Sequence, residues 1–299
     1  MAMKPAINFM GVRNIAFAIT IILTVASLGS LVFKGLNFGL DFTGGTLIEL
    51  NYAKPIQPEL VREQLRAAGY GDAQVQSFGA TTDILVRLAG DDPQLGNKVA
   101  QALEVQGGDN KLTINRVEFV GPAVGEELRD QGGLGMLLAM AGIMLYVAFR
   151  FQWKFGAGAI VALFHDVIIT LGVFSFFQIT FDLTVLAAVL AIIGYSLNDT
   201  IVVFDRIREN FRLLRKADLI ENINISTTQT LLRTLATSIS TLLAVAALMF
   251  MGGENLWGFS LALFIGVTAG TYSSVYMASV ILIWLDLTSD DLIPPVEVE

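Results

Sequence analysis

Six apolar runs decide most of the architecture open to this chain. They occupy residues 15–33, 134–149, 155–177, 183–204, about 230–251 and 257–285. A bilayer core of about 30 Å is crossed by roughly 20 apolar residues as a helix. In lipid every backbone N–H and C=O has to be paired inside its own segment, so runs of this length predict membrane-crossing helices. The second run is short and is expected to begin earlier, among Gly132 and Gly133. The first has a signal-like look, with basic residues ahead of it and Ala26 and Ser27 within it. Its apolar stretch from Ile15 to Phe33 is longer than a signal core and no A-x-A site follows, so a retained anchor is expected. Hydrophobic residues make up 54% of the chain and charged residues only 15%, against about 25% charged in soluble domains. A purely soluble enzyme is excluded.

Charge collects between the first two runs. Residues 34–130 hold nine Lys or Arg and fourteen Asp or Glu, the signature of a water-soluble insert. Within it, Thr46–Tyr52 reads as a strand, Pro58–Ala68 as a helix, Ala73–Phe78 and Ile84–Leu88 as strands, Pro93–Val105 as a helix and Leu112–Val120 as a last strand. The fold class expected is an α-helical polytopic membrane protein with six transmembrane helices plus one α+β ferredoxin-like (βαββαβ) extracytoplasmic domain. The parts are an N-terminal segment and first helix at 1–33, the insert at 34–133, helices two to six at 134–285 and an acidic tail at 286–299.

Orientation follows from the Lys/Arg bias of short loops. Lys4 and Arg13, then Arg150 and Lys154, then Arg206, Arg208, Arg212, Arg215 and Lys216 mark three flanks as cytoplasmic. Loops 178–182 and 252–256 carry no Lys or Arg and are placed outside, as is the insert. Both termini are then cytoplasmic.

Several chemistries are absent from the sequence. Cysteine is missing and His165 is the single histidine, so thiol catalysis, disulfides and multi-histidine metal centres are out. A net charge of −8 gives no footprint for nucleic acid. The glycine-rich stretch 35–46 opens a strand and lacks the Gly-Lys-Ser/Thr of a phosphate loop. No ATPase activity and no cofactor are expected. Gly39, Asp41, Gly44 and Gly45 read as a shaped hinge between the first span and the insert, by positive φ and local capping.

Ionisable side chains inside membrane helices cost at least about 2.5–3.5 kcal/mol each on insertion scales and suggest function. This chain keeps His165 and Asp166 in the third span, Asp199 in the fourth and Arg233 near the start of the fifth. Arg233, Thr237, Ser240 and Thr241 are spaced i, i+4, i+7, i+8 and share a helix face. Tyr195, Ser196, Asn198 and Thr200 surround Asp199. A polar seam between the two helices is expected, and two readings of it stand side by side: a proton-carrying acid with Arg233 as partner, or a static buried pair that fixes packing. For His165 a neutral imidazole bonded to a neighbouring helix is expected. Gly266 and Gly270, with Ser273 and Ser274 beyond, suit close helix packing.

Long motifs carry a resemblance. Gly39-Leu40-Asp41-Phe42-Thr43-Gly44-Gly45-Thr46 follows the first span, and Val120-Gly121-Pro122-Ala123-Val124-Gly125 precedes the second. The fourth span and its flank read Ala191-Ile192-Ile193-Gly194-Tyr195-Ser196-Leu197-Asn198-Asp199-Thr200-Ile201-Val202-Val203-Phe204-Asp205-Arg206-Ile207-Arg208-Glu209-Asn210, and Thr230-Leu231-Leu232-Arg233-Thr234 comes after. Over essentially its whole length the chain resembles the SecF side of the SecD/SecF family. The resemblance implies a helper of the Sec protein translocase, of the resistance-nodulation-division type. It implies a hetero-complex with SecD, work beside SecYEG and YajC on preprotein substrates, and translocation driven by the proton motive force. It also implies a place in the bacterial inner membrane, protons as the coupling ion, and Asp199 as the intramembrane carboxylate with Arg233 as its cationic partner and a further carboxylate supplied by SecD; Asp166 joins the proton-relay candidates only as an acid inside the third span. Half of a proton-coupled lipid or small-molecule exporter, or a passive scaffold of the channel, are the alternatives the residues leave open.

Overall fold

The computed structural model describes residues 6–90, 92–106, 110–214, 217–288 and 291. Lys4, Arg215, Lys216 and most of the acidic tail at 286–299 lie outside the described residues. Among the described residues, six helices are long and apolar enough to cross a membrane: Phe9–Phe33, Pro122–Arg150, Trp153–Phe177, Leu183–Leu213, Leu219–Met251 and Asn255–Trp284. The chain divides into two compact units, one of residues 38–134 and one of the remainder.

A 3-10 turn (Phe9–Val12) leads into α1 (Arg13–Phe33), a short β1 (Asn37–Phe38) and one helical turn, α2 (Leu40–Thr43). The insert continues as β2 (Gly45–Tyr52), α3 (Pro58–Ala67), β3 (Gln74–Phe78), β4 (Ala80–Leu88), α4 (Leu95–Gln106) and β5 (Leu112–Val120). Its sheet runs in the order β3-β4-β2-β5, with every neighbour antiparallel. Period-two alternation explains the layering. Ile48, Leu50 and Tyr52 of β2 turn to one side, where they meet Val61 and Leu65 of α3 and Val99 and Leu103 of α4, while Leu47, Glu49 and Asn51 lie half-buried on the other. Proline near the start of α3 sits where an N–H would go unpaired anyway.

Tyr52 is an oddity of that core. Its ring is 1% exposed and its hydroxyl has no hydrogen-bond partner, and burial pushes the phenol up to about 12. The folded state therefore holds the phenol proton more tightly than the unfolded chain. The stability it contributes is fully present below the unfolded pKa of 10 and is lost as pH rises towards about 12. Tyr52→Phe removes an unsatisfied donor without emptying the site, so we expect it to be neutral or to stabilise by up to about 1 kcal/mol. Chemical denaturation of the full chain checks this, and a clear loss of stability would mean that the hydroxyl has a partner.

The glycine pair before β2 is dictated by close backbone approach. Gly44 and Gly45 hold φ of 66° and 116°. A Cβ on Gly44 would lie 2.8 Å from Pro122 Cα, and one on Gly45 would overlap the Leu88 carbonyl. Gly125 reciprocates, its would-be Cβ falling 2.7 Å from Gly44 N. Gly39 is extended, and Asp41 stands in the first turn of α2. The stretch expected as a hinge is thus a packed junction within the insert.

The remaining elements are α5 (Pro122–Arg150), α6 (Trp153–Phe177), β6 (Thr180–Phe181), α7 (Leu183–Leu213), α8 (Leu219–Met251), α9 (Glu254–Val275) and α10 (Met277–Trp284). Three helices depart from the hydropathy boundaries. α5 starts at Pro122, twelve residues ahead of the apolar run. α7 and α8 run past the expected 204 and 230 because a polar ladder holds them together there. Asn210 donates to Ser226 Oγ at 2.8 Å, Ser226 to Asn222 Oδ1 at 2.9 Å, and all three are buried. Asp182 caps α7 through Val185 N at 2.8 Å, and Asp218 caps α8 through Glu221 N at 2.7 Å. The last span is broken between α9 and α10 at Tyr276. Phe204 of α7 packs edge-to-face against Phe155 of α6 and against Phe151 just ahead of it, with centroids 5.1 and 6.1 Å apart.

Candidate functional site

The polar interior of the membrane helices is built on α7. Its capped start and 3.6-residue period turn Ile192, Ser196, Asp199, Thr200 and Val203 inward, all buried. Asp199 is 2% exposed. Its Oδ2 takes one long hydrogen bond, 3.4 Å, from Ser238 of α8. Ser238 Oγ in turn lies 2.7 Å from Thr271 Oγ1 of α9. The Asn198 side chain approaches the same carboxylate from an otherwise exposed position.

The ion pair expected between Asp199 and Arg233 is not formed. Arg233 is exposed on α8 and acts on Asp199 only as a charge at a distance. Thr237 and Thr241 are half-buried and Ser240 is exposed; Thr237 and Ser240 spend their hydroxyls on carbonyls of their own helix. The buried face of α8 is instead Thr227, Thr230, Thr234 and Ser238, of which Ser238 reaches Asp199 on α7. It lies one residue away from the expected stripe, a rotation of about 100°. Two polar stripes on one helix satisfy the same spacing rule, and only the apolar side chains between them tell them apart: Leu232, Leu235, Ile239 and Leu243 face outward beside Arg233.

A second cluster joins three helices. Asp166 of α6 is fully buried and has three partners: His165 Nδ1 at 2.9 Å on Oδ1, with Ser273 of α9 at 2.8 Å and Ser196 of α7 both donating to Oδ2. His165 therefore bonds its own neighbour in sequence, not another helix, and its Nε2 is buried without a partner. Tyr195 is half-buried with its hydroxyl unpaired, and Thr200 is 1% exposed. Ser238 and Thr271 are the site residues that sequence reading passed over, and Ser273 was expected only to suit close helix packing. Their one signal was position: each is a hydroxyl on an inward face of an apolar helix.

Close approach makes these contacts possible. A Cβ on Gly266 would overlap Ile192, and one on Gly270 would lie 3.1 Å from Ser196 Cβ, so α9 lies almost directly against α7. Chemically, the two acids differ. Any change at Asp166 disturbs three hydrogen bonds, whereas Asp199 is held by one long contact from Ser238 and by the Asn198 side chain. Among the described residues no group of three or more metal-ligating side chains is assembled.

Comparison with known proteins places this geometry. Residues 100–288 match the family described as protein export membrane protein SecD/SecF, C-terminal, and residues 29–56 match the SecD/SecF GG motif. The protein translocase subunit SecF of Pseudomonas aeruginosa is 71% identical over 97% of this chain and 94% of its own, and that of Vibrio alginolyticus is 50% identical over 98% and 94%. A crystal structure of SecDF from Thermus thermophilus, described as a translocon-associated membrane protein, is similar with a TM-score of 0.87 at 39% identity. The match covers 96% of this chain and 40% of that one, so this chain spans about two fifths of the SecDF polypeptide. A second SecDF structure, in a super-membrane-facing form, has a TM-score of 0.70 over 95% of this chain. With matches that cover nearly its full length, this multi-pass membrane chain belongs to the SecD/SecF family of protein-export membrane proteins, as a SecF-type subunit of the protein translocase.

Proposed function

We infer that this subunit pairs with SecD and uses proton flow through the membrane helices to drive late preprotein translocation beside SecYEG, with YajC as a further neighbour. The observation that carries the proton reading is the loose tethering of Asp199: a carboxyl 2% exposed between α7 and α8 whose polar contacts are one long hydrogen bond from Ser238 and the Asn198 side chain, with no ion pair. A group so weakly tied can change its charge without dismantling the bundle, and a charge crossing the membrane field gains about 2.3 kcal/mol per 100 mV. Arg233 serves as the distant cation, and Asp166 as the more firmly held acid of the same interior. Exposed Arg233 and Asn198 mark the face where a partner subunit's polar groups would complete the path.

The insert works outside the inner membrane as the part that moves. Its strand order, with the first strand of the βαββαβ unit central beside the last and third, supports placing it in the ferredoxin-like class. Both termini lie in the cytoplasm on the Lys/Arg bias of the short loops. The test is preprotein translocation into vesicles holding the complex with SecD and SecYEG. Collapsing the proton gradient with an ionophore is expected to slow wild-type translocation several-fold; an unchanged rate would overturn proton coupling.

A further inference from the structure

One turn of α9 carries three hydroxyls to three helices. Thr271 meets Ser238 of α8 at 2.7 Å, Tyr272 donates to the Ala16 carbonyl of α1 at 2.7 Å, and Ser273 donates to Asp166 of α6 at 2.8 Å. α9 ends at Val275, just beyond this turn. The first of these contacts has a proton-counting property. Thr271 also donates to the Val267 carbonyl of its own helix, at 2.8 Å, and each hydroxyl owns a single hydrogen.

Two directions of the chain Asp199–Ser238–Thr271–Val267 are therefore open. When Asp199 is ionised it only accepts, so Ser238 donates to it, Thr271 donates to Ser238, and the Val267 carbonyl loses its second bond. When Asp199 carries a proton it donates to Ser238, Ser238 donates to Thr271, and Thr271 donates back to Val267. Each hydroxyl hydrogen is used once in either state; one proton added at the carboxyl reverses two hydrogen bonds and restores the third, from Thr271 to the Val267 carbonyl. A Thr hydroxyl bonded to the carbonyl four residues back bends its helix, so the reversal changes the curvature of α9 one turn before its break.

The surroundings let that change travel. α9 is locked to α7 through Gly266 and Gly270, and close-packed faces transmit displacement. Between α8 and α9, by contrast, lies a cleft of about 280 Å³ beside Ser238 and Thr271, walled by Leu235, Ile239 and Val275. We propose that Ser238 and Thr271 are positioning residues, a two-hydroxyl relay that converts the charge of Asp199 into a bend of α9 and, through Tyr272, into movement of α1, the helix that leads into the insert. The proposal rests on the reading of Asp199 as the proton carrier.

Thr271→Val tests it, because valine keeps the shape and removes the hydroxyl, and Thr271→Ser restores the hydroxyl alone. In vesicles with SecD and SecYEG, Thr271→Val is expected to lower the gradient-stimulated part of translocation at least five-fold while SecD co-purification and gradient-free translocation stay within two-fold of wild type. Thr271→Ser is expected to recover at least half of the stimulation. Full stimulation in Thr271→Val, or loss in both variants alike, overturns the relay. Asp199→Asn in the same vesicles separates the two levels of argument: if it keeps its gradient response, the proton reading itself has failed; if it loses it while Thr271→Val does not, only the relay has.

Discussion

Asp199→Asn will lose at least nine-tenths of its gradient-driven translocation while assembling to within two-fold of wild-type level. Asparagine has the shape of the carboxyl and its side-chain oxygen can still accept from Ser238, so the 3.4 Å contact survives. What it cannot do is bind and release a proton. One charge crossing 100 mV is worth about 2.3 kcal/mol, close to a fifty-fold bias when about 1.4 kcal/mol is ten-fold, so removing that step leaves only the gradient-independent rate. Asp199→Glu keeps the proton but adds a methylene to a 2% exposed site; partial activity is expected, below wild type and above asparagine. The measurement is translocation rate against imposed gradient, with co-purified SecD as the assembly control. Wild-type stimulation in Asp199→Asn would reduce the carboxyl to helix packing, and so would equal losses of assembly and rate.

Hydropathy was sufficient for the helices and weak at their ends. The six runs appear as six long helices, because lipid leaves a chain no other way to pair its backbone. Strand positions in the insert were equally legible: Thr46–Tyr52 was expected and Gly45–Tyr52 observed, since alternation is a local signal. The extensions of α7 and α8 were invisible for the opposite reason. They are stabilised by Asn210, Asn222 and Ser226 meeting across the hairpin, a tertiary contact made of residues that a hydropathy scale counts as loop. The site divides along the same line. Asp199 and Asp166 stand out because a lone acid in an apolar run is conspicuous at any rotation. Ser238, Thr271 and Ser273 do not, because serine and threonine are common in membrane helices and their meaning depends on which way each helix turns. Arg233 shows the hazard: its spacing to Thr237 and Thr241 was sound, but the helix is rotated by one residue and presents Thr234 and Ser238 inward instead.

Gly266→Leu will have the opposite signature, loss of the fold and activity together. In lipid no hydrophobic drive holds helices to one another, so α7 and α9 depend on dispersion at close range and on hydrogen bonds across the contact. A Cβ at Gly266 already overlaps Ile192, and a whole leucine side chain must push the helices apart. Overpacking alone costs about 1–3 kcal/mol. Separation also draws Ser273 on α9 and Ser196 on α7 away from each other, and both donate to the Oδ2 of fully buried Asp166; a buried polar group left unpaired costs about 1–3 kcal/mol more for each hydrogen bond lost. At about 2–4 °C per kcal/mol for a unit of this size, a fall in unfolding temperature of about 10 °C or more is expected in detergent, with SecD no longer co-purifying. Ile192→Ala opens the space that leucine needs, so the double variant should recover part of the loss, by an interaction of at least about 1 kcal/mol in a double-mutant cycle. A melting temperature within about 2 °C of wild type would show that α7 and α9 are held by something other than their close approach. The three-helix anchoring of Asp166 would then have to be sought elsewhere than in the glycine face.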